Sequence, residues 1–143
     1  MTPSQEGKRI LAIDPGEKRI GVAAADTRVG VAVPLTTIDA GANPVEAIAR
    51  LAEEQGASAL VVGLALSLSG ALGPQAQRAQ ELAEALARRL DIPVHTWDER
   101  LSTAEARRRA PAGKRPRKGE LDAAAAAITL QAFLDSQRRP SPL

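Results

Sequence analysis

The apolar positions of the chain form two kinds of pattern. Five short aliphatic runs, bounded by Gly, Pro, Asp or Ser, are typical of buried strands. Longer segments repeat apolar residues at intervals of three and four, which predicts helices with one apolar face. The pattern predicts strands at residues 8–14, 19–26, 30–38, 58–64 and 92–97 and helices at residues 42–56, 74–90, 102–109 and 120–135.

Turn and capping residues separate these segments. The sequence "PGEK" at 15–18 lies between the first two strands and predicts a tight antiparallel hairpin. Pro34 cannot donate a backbone hydrogen bond, so its strand is expected at an edge of the sheet. Asn43 can cap the first helix, Pro44 suits its first turn, and Gly56 can end it.

The order of the elements predicts how the sheet is built. Three strands follow one another through short turns, and two more strands are each reached through a helix. Short turns give antiparallel neighbours and helical crossovers give parallel ones, so we expect a five-stranded mixed sheet with helices on its faces. The order β-β-β-α-β-α-β-α is that of an RNase H-like α/β fold, with the first strand central and the first, fourth and fifth strands adjacent. We expect one domain over residues 1–143, with loose tails at about 1–7 and 138–143.

Composition excludes several kinds of site. The chain has no cysteine and a single histidine, His95, which excludes disulfides, thiolate zinc sites and histidine-cluster metal sites within one chain. No apolar stretch approaches the length of a membrane span, and the N-terminus lacks the core of a signal peptide. We therefore expect a cytoplasmic protein with no membrane contact.

The positive charge is concentrated in one segment. Residues 107–118, "RRRAPAGKRPRK" (hereafter the basic strip), hold seven of the 19 Lys and Arg residues and no acid, leaving 12 basic against 17 acidic residues elsewhere. The strip indicates contact with a polyanion, although a solvated loop would look the same. Its two prolines and one glycine predict a loop that extends neither neighbouring helix. With one Trp and one Phe, recognition by stacking of single-stranded bases is disfavoured.

Acidic residues stand where three predicted elements begin or end. Asp14 ends the first strand, Asp98 and Glu99 follow the fifth, and Asp122 lies in the first turn of the last helix. In the predicted topology these carboxylates can converge, and converging oxygen ligands are what Mg²⁺ or Mn²⁺ prefers. Without a cation the acids would repel one another, so one of them is expected to stay protonated.

Each acid also has a purely structural interpretation. Asp14 before Pro-Gly could be a turn residue, the "DER" segment at 98–100 could be a surface turn, and Asp122 could complement a helix N-terminus. Neighbouring residues in a strand point to opposite faces, so only one of Asp98 and Glu99 can readily join Asp14. The case for a site rests on the coincidence of all three segments with the fold and with the basic strip.

Several motifs resemble one family over nearly the whole chain, roughly residues 8 to 135. "RILAIDPGEKRIGVAAAD", "VPLTTI", "VVGLALSLSG", "WDERLST" and "LDAAAAAITLQAFLD" occur in the order and spacing of the YqgF family, also called RuvX. This RNase H-like family is described as Holliday-junction resolvases or as nucleases that mature the 5′ end of pre-16S rRNA. The loop after the fourth strand departs from the family pattern "VVGLPLNMDGSEG" at Ala65, Ser67 and Ser69.

The resemblance implies a divalent-metal-dependent endonuclease. Asp14, Asp122 and either Glu99 or Asp98 would be its catalytic, metal-binding acids, with Glu99 favoured, and the products would carry 5′-phosphate and 3′-hydroxyl ends. The substrate would be a four-way DNA junction or an rRNA precursor. A four-way junction has near two-fold symmetry, so its paired cleavage would require a homodimer.

Candidate contacts to nucleic acid surround these acids. Arg19 and Arg100 flank the site and suit phosphate, although Arg19 could instead pair with a nearby acid. The loop at Gly70 can offer backbone N–H groups near the helix that begins at Pro74. Four residues of the basic strip complete the set: Lys114, Arg115, Arg117 and Lys118.

Two other functions fit the fold. A non-catalytic nucleic-acid-binding module would bind without turnover. An ATPase-like domain would share the order of the sheet, but 143 residues are too few for the two-lobed nucleotide cleft of that class.

Overall fold

The structure is a computed structural model that describes residues 7–41, 43–67, 69–101 and 118–138. Its strands are β1 (Arg9–Pro15), β2 (Arg19–Asp26), β3 (Val33–Asp39), β4 (Ala59–Leu64) and β5 (Val94–Asp98), and its helices are α1 (Pro44–Gln55), α2 (Pro74–Arg89) and α3 (Lys118–Arg138). The predicted helix at 102–109 lies outside the described residues. None of the described helices is long and apolar enough to cross a membrane.

The five strands form one mixed sheet in the order β3-β2-β1-β4-β5. The β1–β2 and β2–β3 pairs are antiparallel, whereas the β1–β4 and β4–β5 pairs are parallel. The first strand is central and lies next to β4, which in turn lies next to β5. This confirms the predicted fold and the predicted neighbours of the first strand.

The edge position predicted for Pro34 is also confirmed. Pro34 lies in β3 opposite Ala23, where the register of the β2–β3 pair shifts between Val22 and Ala23. A proline is tolerated there because no strand among the described residues pairs with the outer side of β3 and a bulge already interrupts the pairing.

Alternating side chains of the central strand face two separate cores. Leu11 and Ile13 pack with residues of α1 and α2 on one face of the sheet. Ile10 and Ala12 pack on the other face with α3, whose alanines allow the helix to lie close to the sheet. Because side chains alternate along a strand, Asp14 continues the second series and faces α3.

The ends of the helices differ in part from expectation. Gly56 ends α1 with φ of 63°, as expected, but Asn43 adopts φ of 42° and makes no side-chain capping hydrogen bond. Helix α3 extends beyond the predicted 120–135, since no helix-breaking residue lies between Asp135 and Arg138. Lys118, the last residue of the basic strip, begins α3, so the expectation that the strip extends neither helix is wrong at its final residue.

Candidate active site

Asp14 lies near the carboxyl end of the central strand, between two glycines. Gly21 on β2 is its partner in the antiparallel register. On β4, Val62 pairs with Ile13, so the next residue, Gly63, lies alongside Asp14. Both glycines are buried and follow the series of residues that faces α3. The carboxyl group of Asp14 therefore points into a space that no neighbouring strand side chain fills.

Glu99 reaches this space from the end of β5. Its backbone N–H donates a hydrogen bond of 3.0 Å to the carbonyl oxygen of Leu64, which continues the parallel pairing of β4 with β5 by one residue. The side chain of Glu99 then crosses Gly63 and forms a hydrogen bond with the side chain of Asp14. Of the two acids after the fifth strand, Glu99 is the one that the structure brings to Asp14.

Asp122 approaches from the other side, where α3 crosses β2. The backbone of Asp122 lies directly over Gly21, so closely that a Cβ atom at Gly21 would overlap the carbonyl group of Asp122. Its Oδ2 accepts a hydrogen bond of 3.1 Å from Nε of Arg19, and the two side chains are 35% and 38% exposed. Arg19 is thus paired with a nearby acid, the alternative left open by the sequence.

Burial and the two neighbouring acids perturb the titration of Asp14. The pKa of Asp14 is raised from 3.8 to about 9, first because the group is buried, then because of its hydrogen bond with Glu99, and finally because of the negative charges of Glu99 and Asp122. A carboxyl group with this pKa keeps its proton at neutral pH, and burial contributes more to this than the expected repulsion within the cluster.

The donor set fits a hard divalent cation, although the side chains are not closed around one point. Asp14, Glu99 and Asp122 offer only carboxyl oxygens, which Mg²⁺ and Mn²⁺ prefer over nitrogen or sulfur. Within the described part of the chain, no three acidic or histidine side chains already form a group that could hold a metal ion. Asp122 is engaged by Arg19, and Asp14 by Glu99. Binding of a cation would have to displace the Asp14 proton and turn Asp122.

Asp98 is not brought to the cluster. It belongs to the series of β5 that includes Val94, which packs on the face of α1 and α2, whereas Trp97 packs on the face of α3. Both carboxyl oxygens of Asp98 accept hydrogen bonds from Nε of Arg100, at 3.0 and 2.9 Å. These bonds lower the pKa of Asp98, so Asp98 and Arg100 form an ion pair beside the acids.

Arg100 also contacts the loop that follows β4. Its Nη1 donates a hydrogen bond of 3.3 Å to the carbonyl oxygen of Ser67, and its guanidinium group lies next to Gly70. The backbone N–H of Gly70 donates to that same Ser67 carbonyl at 2.8 Å, and the N–H of Ala71 donates to Ser67 Oγ. The N–H groups of these two residues are thus bonded within the loop, and the contact of this loop with phosphate stays a prediction.

The predicted contacts of the basic strip cannot be placed on the structure. Lys114, Arg115 and Arg117 lie outside the described residues, and Lys118 is the first residue of α3. Only three residues separate Lys118 from Asp122 along that helix. The end of the strip is therefore close to the acids, and its role in binding nucleic acid remains a prediction.

The sequence analysis did not identify Gly21 and Gly63 as the positions over which Asp122 and Glu99 lie. Both are single glycines inside otherwise aliphatic strands, a pattern that indicates a close approach by another part of the chain. That signal was present in the sequence, but it does not say which part approaches.

The structure shares its fold with solved RuvC structures. A Thermus thermophilus RuvC structure shares its fold, with a TM-score of 0.57 and 15% identity over 90% of this chain and 96% of that one. The structure of T. thermophilus RuvC with a Holliday junction substrate gives a TM-score of 0.60, also at 15% identity, over 92% and 97% of the two chains. The fold is that of an RNase H-like α/β protein.

Sequence comparisons identify the family. The family model described as RuvX, Holliday junction resolvase, matches residues 8–136. A Chloroflexus aurantiacus protein that carries the name of a pre-16S rRNA nuclease is 45% identical over 135 residues, covering 90% of this chain and 88% of its own. An Acidiphilium cryptum protein of the same name is 40% identical over 139 residues, covering 94% and 88%.

The chain belongs to the RuvX family, which confirms the resemblance found in the sequence. It is a nuclease, and nucleases of the RuvC and RuvX type generally depend on divalent metal ions.

Proposed function

We propose that this nuclease is a divalent-metal-dependent endonuclease whose catalytic acids are Asp14, Glu99 and Asp122. The observation that carries the proposal is that the carboxyl groups of Asp14 on β1 and Glu99 at the end of β5 meet, with Asp122 of α3 near enough for its charge to act on Asp14. A partly buried acid with two acidic neighbours is costly for a fold, and such an arrangement is typical of a functional site.

The three acids would hold Mg²⁺ or Mn²⁺. Held by these acids, a divalent cation would supply charge stabilisation for hydrolysis of a phosphodiester bond. Asp14 would lose its proton when a cation binds. Arg19 would remain beside the site as a positive group able to contact phosphate. Asp98 forms an ion pair with Arg100 and would position that arginine beside the loop at Gly70.

The substrate would be structured nucleic acid. The names of the relatives favour an rRNA precursor, and the description of the family favours a four-way DNA junction. We propose activity on both kinds of substrate, with a homodimer on the junction because its near two-fold symmetry requires paired cuts. Arg19, Arg100, the loop at Gly70 and the basic strip would contact the phosphates.

Cleavage assays test the proposed function. A labelled four-way junction and a 16S precursor RNA are incubated with the wild type or Asp14→Asn in Mn²⁺, Mg²⁺ or EDTA. We expect cleavage by the wild type in either metal, none in EDTA, and a loss of roughly 10²-fold or more for Asp14→Asn. Binding by Asp14→Asn should be equal or stronger, because repulsion of phosphate is reduced.

Glu17→Gln is the matched control, since Glu17 is an exposed acid three residues further along the same hairpin. It should cut as the wild type does. Cleavage in EDTA, or wild-type cleavage by a folded Asp14→Asn protein, would refute the assignment. Binding of both substrates without any cleavage would favour the non-catalytic module.

A further inference from the structure

The order of the strands creates a steric problem for Glu99. β4 lies between β1, which carries Asp14, and β5, which Glu99 follows. Neighbouring strands are about 4.8 Å apart, so an acid on β5 has to reach across one whole strand to meet an acid on β1. Any side chain that β4 placed on that face, at that level, would stand in its path.

Gly63 is the residue of β4 at this level. It pairs with Trp97 of β5, lies alongside Asp14, and follows Val61 in the series that faces α3. A Cβ atom built on Gly63 would lie 2.5 Å from Oε1 of Glu99 and 3.2 Å from both Cδ and Cγ. The side chain of Glu99 therefore occupies the volume that any other residue at this position would fill.

We propose that Gly63 is a positioning residue for Glu99. Because glycine has no side chain, it leaves open the space, here called the seat, through which the Glu99 side chain crosses β4 to meet Asp14. This inference rests on the proposed function for the role of Glu99 as a metal ligand. The contact between Gly63 and Glu99 is independent of that role.

Gly63 differs from Gly21 in what an added methyl group would meet. At Gly21 the methyl would overlap the backbone of Asp122, which cannot move without shifting α3. At Gly63 the three atoms nearest to the methyl would all belong to the flexible side chain of Glu99, which can rotate away. Gly63→Ala should therefore leave the fold intact and displace the carboxyl group of Glu99 from Asp14.

A double-mutant cycle tests the proposal. Wild type, Gly63→Ala, Glu99→Ala and the double variant are compared by calorimetric titration with Mn²⁺ and by urea unfolding in EDTA. We expect Gly63→Ala to weaken Mn²⁺ binding at least tenfold in the wild type and to cause no further loss in the Glu99→Ala background. We also expect the added methyl to lower the urea midpoint more in the wild type than in that background.

Gly41→Ala provides the control, because a methyl at Gly41 would come no closer than 3.4 Å to its nearest neighbour, Oδ1 of Asp39. It should bind Mn²⁺ as the wild type does. If Gly63→Ala also binds like the wild type while Glu99→Ala binds weakly, the positioning role is refuted and the proposed function stands.

If Glu99→Ala binds Mn²⁺ as tightly as the wild type, or the wild type does not bind it, the proposed metal-binding role of Glu99 fails instead. The urea-unfolding cycle then tests by itself whether Gly63 provides this seat. Unequal effects of the added methyl in the wild-type and Glu99→Ala backgrounds support the seat, and equal effects refute it.

Discussion

Asp14 is an acid in surroundings that disfavour its charged form. It is partly buried at the end of the central strand and lies beside two other acids, which together raise its pKa from 3.8 to about 9. The folded protein therefore holds a proton on Asp14 at pH values at which the unfolded chain has released it. Stability must fall as pH rises through this window, since the unfolded state then binds fewer protons than the folded state.

This linkage predicts how Asp14→Asn changes stability with pH. Between about pH 4 and pH 9, the contribution of Asp14 to the free energy of unfolding is progressively lost in the wild type. Asparagine has no proton to lose, so the variant should decline less over that range. At pH 8 without metal, we expect Asp14→Asn to be more stable than the wild type by roughly 1–3 kcal/mol. Urea unfolding in EDTA at pH 5, 6, 7 and 8 measures the difference.

Glu17→Gln controls for the loss of an acid in the same hairpin and should follow the wild type at every pH. Parallel curves for Asp14→Asn and the wild type would show that Asp14 is not the group whose protonation is coupled to folding.

The choice between Asp98 and Glu99 shows what the sequence could say at the scale of single residues. Alternation along a strand predicts that one of the two acids faces Asp14 and the other does not, and the structure agrees. The alternation does not predict that Asp98 accepts hydrogen bonds from Arg100, because that contact depends on the backbone turn after β5. The pairing of Arg19 with Asp122, 103 residues apart, likewise depends on how α3 packs.

Among the elements, α3 and β2 approach each other closely at the site. The helix follows the sheet through its alanines and brings the backbone of Asp122 onto Gly21. The position of Asp122 is therefore set by the packing of a whole helix against a strand, whereas the position of Glu99 depends on a single side chain.

Gly21→Ala should expose this difference. The added methyl would meet backbone atoms of Asp122, so α3 must shift against the sheet. We expect a loss of about 1–3 kcal/mol in the free energy of unfolding, as for other overpacked cores. Urea unfolding measures the loss, and Gly41→Ala should stay close to the wild type. Wild-type stability of Gly21→Ala would mean that α3 does not lie as close to β2 as described.

Strand order and strand faces were predictable because they follow from turn length and alternation. Pro34 marked the edge strand correctly, since a proline cannot pair on both sides. Helix ends were less predictable: Asn43 occupies the capping position of α1 but takes a left-handed conformation and makes no side-chain cap. Such details depend on how the preceding loop enters the helix, which the sequence pattern does not encode.

In the molecule as a whole, the acids lie where the central strand ends beside its parallel neighbour. Each comes from a different part of the chain, and only the completed sheet with α3 packed on it brings them together. This explains why each acid had an ordinary interpretation in the sequence and why their shared location was the informative feature. The three acids are therefore close together only if the whole fold is correct.

The most direct test is the location of bound Mn²⁺. Crystals of the wild type are soaked in Mn²⁺ or EDTA, and anomalous scattering is used to locate the ion. We expect a manganese peak in direct contact with carboxyl oxygens of Asp14 and Glu99, with Asp122 turned from Arg19 toward the ion, and no peak at this position in EDTA. A peak found only at other acids, with Asp14 still hydrogen-bonded to Glu99 at saturating Mn²⁺, would contradict the assignment of the site.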